Sequence, residues 1–292
     1  MHKAGFVNII GKPNAGKSTL MNALMGEKLS IITSKAQTTR HRITGVLTGE
    51  DYQIVYSDTP GIIDPKYPLQ KAMMNFVQQS LEDADILLWV IDATDPEAQD
   101  LVIEKIKRAN TNLVIGLNKI DLVAQEKAQE IMSFWQKEFP NMSIVPISAL
   151  NKFNTDVLLE KIKDALPEHP AYYDNDTLTD KSERFFASEI IREKIFLYYD
   201  QEIPYSTETV ITSFKETETI IRIQAEIIVE RDSQKGILIG KGGKSLKKVG
   251  VEARKDMEAF FGKQVHLEQF VKVEKDWRKQ ERQLSRFGYI LS

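Results

Sequence analysis

Gly11-Lys12-Pro13-Asn14-Ala15-Gly16-Lys17-Ser18 has the glycine and lysine spacing of a phosphate-binding loop, and it follows a short apolar run, Gly5 to Ile10. Between a strand and a helix, such a loop points its backbone N–H groups at a β-phosphate. Lys17 then reaches the β- and γ-phosphates, and the Ser18 hydroxyl supplies an oxygen for Mg²⁺. Residues 11–18, with Thr19 beyond them, are therefore the first expected nucleotide contacts. A carboxylate is needed near the metal. Gln53 to Asp58 is an apolar run closed by an acid and followed by Thr59-Pro60-Gly61-Ile62. Asp58 is expected to hold Mg²⁺ through a water, and the unobstructed Gly61 N–H to bond the γ-phosphate and sense its loss.

The base is legible in Asn118-Lys119-Ile120-Asp121, which follows the apolar run Leu113 to Leu117. A carboxylate at Asp121 accepts from the guanine N1–H and exocyclic amine, whereas adenine would turn a lone pair toward the charge. Lys119 is expected to lay its stem over the base and Asn118 to tie this loop to the phosphate loop. Ser148-Ala149-Leu150 is expected to offer a backbone N–H to guanine O6. The polar stretch between Lys28 and Arg42 holds Gln37-Thr38-Thr39-Arg40, where one threonine completes the Mg²⁺ set of Ser18, Asp58 and a hydroxyl; Thr39 is preferred to Thr38. His41 is not expected to act as a base, because this reaction needs positioning and charge neutralisation more than proton abstraction. Ile62 stands where Ras-like enzymes carry a water-positioning Gln, so intrinsic turnover should be slow. Asn14 offers an oxygen for K⁺, which would supply the charge that an arginine finger gives elsewhere. The expected catalytic set is Lys17, Thr39, Gly61 and Asn14.

These motifs must be carried by a regular frame. Val/Ile-rich runs at Gly5 to Ile10, Gln53 to Ser57, Ile86 to Ile91, Leu113 to Leu117 and Ser143 to Ile147 read as strands of a parallel sheet. Helical patterns at Lys17 to Leu24, Leu69 to Leu81, Ala98 to Arg108, Gln125 to Glu138 and Asp156 to Ala165 lie between them, as an α/β doubly wound domain requires. This domain is expected over residues 1–168. Residues 169–181, aperiodic and rich in Pro, Tyr and Asp, read as a linker. From residue 182 to 292 the grammar changes: a helix at Ser182 to Tyr198, strands at Thr209 to Ser213 and Thr219 to Val229, a helix-rich stretch, a strand at Gln264 to Val273 and a charged tail. The order α, β, β, α, α, β predicts an α+β unit.

Within it, Gly240-Lys241-Gly242-Gly243-Lys244 sets a GxxG turn between two helical segments. Lys241 and Lys244 can meet consecutive phosphates there, and Ile237 and Ile239 can line a groove for unstacked bases, as in a KH domain. The charge distribution agrees. The net charge is −3, but residues 232–292 carry 14 Lys and Arg against 8 Asp and Glu, so the acidic excess lies upstream.

Of 292 residues, 42% are apolar and 28% charged, with no Cys, which excludes disulfides, thiolate catalysis and Cys-ligated metals and fits a reducing cytoplasm. No apolar run approaches the ~18 residues of a membrane span. No leader peptide is expected, because the first strand begins so near Met1.

The chain resembles the Era family of bacterial ribosome-assembly GTPases. The likeness covers both domains in order and rests on the phosphate loop with Asn14, Gln37 to Arg42, Asp58 to Ile62, Asn118 to Asp121, Ser148-Ala149, Glu189 to Lys194, Ile239 to Lys244 and Val273 to Arg278. It implies a P-loop, Ras-like GTPase domain followed by a type II KH domain. It further implies a GTP/GDP switch that binds the 3′ end of 16S rRNA, with Trp277 and Arg278 joining the RNA-binding residues, and that promotes 30S subunit maturation. A loosely membrane-associated fraction is implied as well, and a monomer is expected. Two rivals differ from this: a GTP-binding RNA adaptor with little turnover, and the tRNA-modifying GTPases, which rely on a C-terminal Cys that this chain lacks.

Overall fold

A computed structural model describes residues 2–97, 99–109 and 111–291. Apart from residues 67–69, which group with the second unit, the chain divides between Asp180 and Lys181 into two compact units.

The first unit is built on six strands: β1 (Lys3–Ile10), β2 (Ile43–Thr48), β3 (Tyr52–Asp58), β4 (Ile86–Asp92), β5 (Asn112–Asn118) and β6 (Ser143–Pro146), in the order β2-β3-β1-β4-β5-β6. Helices α1 (Lys17–Met25), α2 (Pro68–Glu82), α3 (Asp100–Ala109), α4 (Gln125–Glu138) and α5 (Thr155–Ala165) connect them. Ile86 to Ile91 is wholly buried, as a central parallel strand covered on both faces must be. The sheet is not purely parallel as expected, because β2 pairs antiparallel with β3, from Ile43 opposite Asp58 to Thr48 opposite Gln53. The stretch Ile43–Thr48 is half Thr and Gly, and it becomes a strand only by adding to the β3 edge. Ala98, the expected start of the third helix, lies outside the described residues.

The sheet order reverses around β1, which lies between β3 and β4, and the loops after β1, β3 and β5 leave from the C-terminal edge, where a ligand crevice forms in such sheets. Of the expected linker 169–181, the part up to Asp180 belongs to this unit and is fastened to it. Gln53 Oε1 accepts from the Tyr172 and Tyr173 N–H groups at 2.7 and 2.9 Å, the Val46 N–H donates to the Leu178 carbonyl at 2.8 Å, and the Thr179 hydroxyl donates to the Thr44 carbonyl at 2.6 Å.

The second unit follows the expected order: α6 (Glu183–Tyr198), β7 (Glu208–Glu216), β8 (Ile220–Val229), α7 (Asp232–Ile239), α8 (Lys244–Phe261) and β9 (Gln264–Val273). The middle strand β8 pairs antiparallel with β7 and parallel with β9. Ile221, Ile223, Ala225 and Ile227 alternate toward a core shared with Ile191, Ile195, Val249, Ala253 and Met257 from the helices. The charged tail is folded rather than extended. A turn at Trp277–Lys279 and a last helix, α9 (Glu281–Arg286), bury Leu284 and Tyr289, and the Tyr289 hydroxyl donates to Glu208 Oε2 at 2.6 Å. Among the described residues no helix is long and apolar enough to cross a membrane.

Candidate functional site

The phosphate loop leaves the end of β1 and feeds α1. Asn14 and Gly16 take positive φ of 62° and 94°, turning the chain so that α1 begins at Lys17. Gly11, Lys12 and Ala15 belong to the loop's frame, and Pro13, Asn14, Gly16, Lys17, Ser18 and Thr19 face a cleft of about 390 Å³ with Gly61, Thr39 and Lys119. Gly61 comes so close to the loop that a Cβ there would lie 2.6 Å from the Pro13 nitrogen. The Ile62 N–H donates to the Gly11 carbonyl at 3.0 Å, and its side chain is buried. Thr59 anchors the turn through its hydroxyl to the Ile9 carbonyl at 2.6 Å, with Pro60 buried next to it.

Three hard oxygens converge beside Lys17. Ser18 Oγ donates to Asp58 Oδ2 at 2.6 Å and lies 2.8 Å from Thr39 Oγ1, which in turn donates to Asp58 Oδ2 at 3.3 Å. Asp58 Oδ1 is buried without a hydrogen-bond partner. Two hydroxyls and a carboxylate with a spare oxygen suit Mg²⁺, a cation that prefers oxygen ligands. Thr38 lines the same cleft, but its hydroxyl donates to the Lys35 carbonyl at 2.7 Å. Burial pushes the Asp58 carboxyl above its ordinary range, against the Ser18 hydrogen bond and the Lys17 charge. Burial likewise pulls Lys17 from 10.5 down to about 8, with Asp58 opposing, and its ammonium donates to the Lys12 carbonyl at 2.8 Å. Asn14 Nδ2 donates to the Ser34 carbonyl at 3.1 Å. The His41 ring packs on Phe76, centroids 5.6 Å apart, away from this cluster.

Asn118 is the tie between loops. Its Nδ2 donates to the Ala15 carbonyl at 2.8 Å, and its Oδ1 accepts from the Ala149 N–H at 2.9 Å. The Ser148 N–H is taken by the Phe153 carbonyl at 3.2 Å, so the Ser148 and Ala149 N–H groups of that tripeptide are both engaged within the protein. Lys119 sits at φ 63°, opening the short turn Ile120–Leu122 that presents an exposed Asp121. Sequence reasoning passed over Asp92, which pairs with Lys119 at 2.5 Å, and Asp95, which pairs with Lys12 at 2.5 Å. Burial raises the Asp92 carboxyl, but hydrogen bonds from Lys119 and Thr94 hold it below the usual range. The signal was the one that marks Asp58: an acid closing an apolar strand. Ile31, Ile32, Thr33 and Lys35 also line the cleft without having been singled out.

In the second unit the glycine turn joins α7 to α8. Gly240, Gly242 and Gly243 have φ of 70°, 60° and 75°, a conformation that side-chain-bearing residues rarely adopt, and a Cβ at Gly242 or Gly243 would meet open space. The turn therefore presents bare backbone outward, flanked by exposed Lys241 and Lys244. Ile237 is 51% exposed and Ile239 half-buried, while Leu238 between them is in the core. Trp277 corrects the expectation of an RNA contact: it is fully buried and its indole N–H donates to the Ser206 carbonyl at 3.0 Å, so no face is open to a base. Arg278 is half-buried and ion-paired with Glu230. Glu189 and Arg192 form a buried pair at 2.7 Å that is structural to α6.

Comparison with known proteins matches residues 6–119 to the 50S ribosome-binding GTPase family and residues 202–278 to the KH domain. GTPase Era of Syntrophus aciditrophicus is 47% identical, the match covering 99% of this chain and 96% of that protein, and GTPase Era of Staphylococcus haemolyticus is 44% identical over 99% and 98%. Among solved structures, Era in complex with MgGDPNP and nucleotides 1506–1542 of 16S ribosomal RNA is similar with a TM-score of 0.96, 40% identity and full coverage of both chains. A tyrosine-to-alanine variant of Aquifex aeolicus Era bound to GDP.AlF4⁻ gives a TM-score of 0.95 at 40% identity, covering 99% of this chain and 100% of that one. These matches span both the Ras-like unit and the KH unit, and the chain belongs to the Era family of GTPases.

Proposed function

We propose that this chain binds GTP with Mg²⁺, hydrolyses it slowly to GDP and phosphate, and uses its KH unit to hold the single-stranded 3′ end of 16S rRNA during 30S maturation. The observation that carries the reading is the cluster of Ser18, Thr39 and Asp58 oxygens beside buried Lys17, in one cleft with the base loop that Asn118 anchors. The Era relative solved with MgGDPNP and 16S rRNA supports both halves of it.

Water attacks the γ-phosphorus and the bond to the bridging oxygen of GDP breaks, so the protein's task is to position groups and neutralise charge. Lys17 places its ammonium against the β- and γ-phosphates, and the Gly61 N–H bonds the γ-phosphate. Ser18, Thr39 and Asp58 would hold Mg²⁺, which neutralises charge on the β- and γ-oxygens. The buried, apolar Ile62 side chain has no polar atom with which to orient the water, and this supports a slow intrinsic rate. Asn14, at the mouth of the cleft, is the group we assign to K⁺. In the KH unit the turn from Gly240 to Gly243 admits the RNA backbone, Lys241 and Lys244 meet phosphates, and Ile237 and Ile239 meet base faces.

Single-turnover GTP hydrolysis, in K⁺ or Na⁺ and with or without a 16S 3′-end oligonucleotide, tests this. Turnover should be several-fold faster in K⁺, and Asn14→Ala should blunt the difference. GTP bound but never hydrolysed, under every condition, would leave the adaptor reading in its place.

A further inference from the structure

Asp92 closes β4 and stands in register with Asn118 across the β4–β5 pairing. Both of its carboxylate oxygens are engaged. Oδ2 accepts from Lys119 Nζ at 2.5 Å, and Oδ1 accepts from the Thr94 N–H at 2.9 Å and the Thr94 hydroxyl at 2.6 Å. The Ala93 N–H donates to the Asn118 carbonyl at 2.8 Å, which joins the two strand ends through the backbone as well. The Asp92 side chain is only 15% exposed, and that of Lys119 30%. A free lysine stem samples many rotamers, and one whose ammonium is pinned to a fixed carboxylate samples few. The next acid in the same turn, Asp95, holds Lys12 of the phosphate loop at 2.5 Å, but it is 62% exposed and that pair is correspondingly weak.

We propose that Asp92 is a positioning residue for nucleotide binding: by holding the Lys119 ammonium it fixes the aliphatic stem of that lysine as a preformed wall for the guanine ring. The proposal rests on the guanine-nucleotide reading above. The ordering cost of Lys119 then falls on folding and not on binding, so a chain without the anchor should release nucleotide faster.

The test measures release of a fluorescent GDP analogue from the full-length chain. Asp92→Asn keeps the shape and the Thr94 contacts but removes the charge, and should accelerate release about tenfold. Asp95→Asn should change it by less than about twofold. In a Lys119→Met background, which keeps the stem and lacks the ammonium, Asp92→Asn should add less than about twofold. Relaxation of the Lys119 ε-methylene carbon in the nucleotide-free chain gives a second readout, and Asp92→Asn should mobilise it while the melting temperature holds. Equal acceleration in both backgrounds, or an unchanged methylene with unchanged release, overturns the proposal. An unaltered chain that binds no GDP overturns the nucleotide reading and this inference with it, whereas normal GDP binding with no effect of Asp92→Asn overturns the inference alone.

Discussion

The buried lysine of the phosphate loop makes nucleotide affinity depend on pH in a direction the structure sets. Lys17 is 5% exposed, and burial pulls it from 10.5 to about 8. Between pH 8 and 10.5 the unfolded chain therefore holds a proton that the folded, empty chain has lost. Keeping the ammonium charged in the empty cleft costs about 3 kcal/mol below pH 8, a cost relieved as pH rises through that window. Bound phosphates supply the missing counter-charge and return the group to its ionised form. At about pH 7 roughly nine-tenths of empty clefts already carry the charge, and at about pH 9 roughly one-tenth do. GDP affinity should thus fall about tenfold from about pH 7 to about pH 9, and binding at the upper end should take up about 0.9 proton. Calorimetric titration in two buffers of different ionisation enthalpy measures both quantities. Lys17→Met shares every titration of the ligand itself, so the difference between the two profiles isolates Lys17. Equal slopes in the two proteins, or no proton uptake by the unaltered chain, would refute the reasoning.

Thr39→Ala should cut single-turnover GTP hydrolysis by about tenfold or more, whereas Thr38→Ala, whose hydroxyl ties its own loop to the Lys35 carbonyl, should stay within about threefold. Asp121→Asn should shift preference from GTP toward XTP in competition binding, because an amide donates where the carboxylate only accepted. Gly243→Asp should weaken binding of a 16S 3′-end oligonucleotide by roughly tenfold or more, and Lys241→Ala should lower the salt slope by about one ion, both read from affinity against salt concentration. Trp277→Ala should cost the fold about 3–5 kcal/mol, seen as a lowered melting temperature; an unchanged melt with lost RNA affinity would restore it to the RNA surface.

What could be read from the sequence was whatever depends on the local chain. The buried central strands announce themselves as unbroken Val/Ile/Leu runs, and α4 and β9 keep their expected bounds because periodicity and end signals agree there. The phosphate loop was legible because its conformation needs particular residues at particular spacings. The glycine turn from Gly240 to Gly243 was legible for the same reason, since its positive φ angles select glycine. By contrast β2 was invisible: Ile43–Thr48 pairs with β3 through backbone groups that any sequence possesses. The segment 169–181 looked like a linker because it has no periodicity, yet within it Tyr172 and Tyr173 are held by the buried Gln53 side chain and Leu178 and Thr179 by the β2 backbone, all distant in sequence.

Trp277 and Asp92 show opposite ways in which residue type misleads. The family resemblance implied an RNA contact at Trp277, but Trp277 spends its indole N–H on the Ser206 carbonyl and packs edge-on against Phe287, with ring centroids 5.5 Å apart. Composition cannot tell a stacking platform from a core wedge, because both need a large flat ring. Asp92 and Asp58 carry the same local signal, an acid closing an apolar strand. Their fates diverge through strand register alone. Asp58, opposite Ile9 on β1, meets the hydroxyls of Ser18 and Thr39 and gathers the oxygens we assign to Mg²⁺, while Asp92, opposite Asn118 on β5, meets the Lys119 ammonium. A carboxylate's role is set by the groups the fold delivers to it, and those groups lie 40 and 19 residues away in sequence for Asp58 and 27 for Asp92.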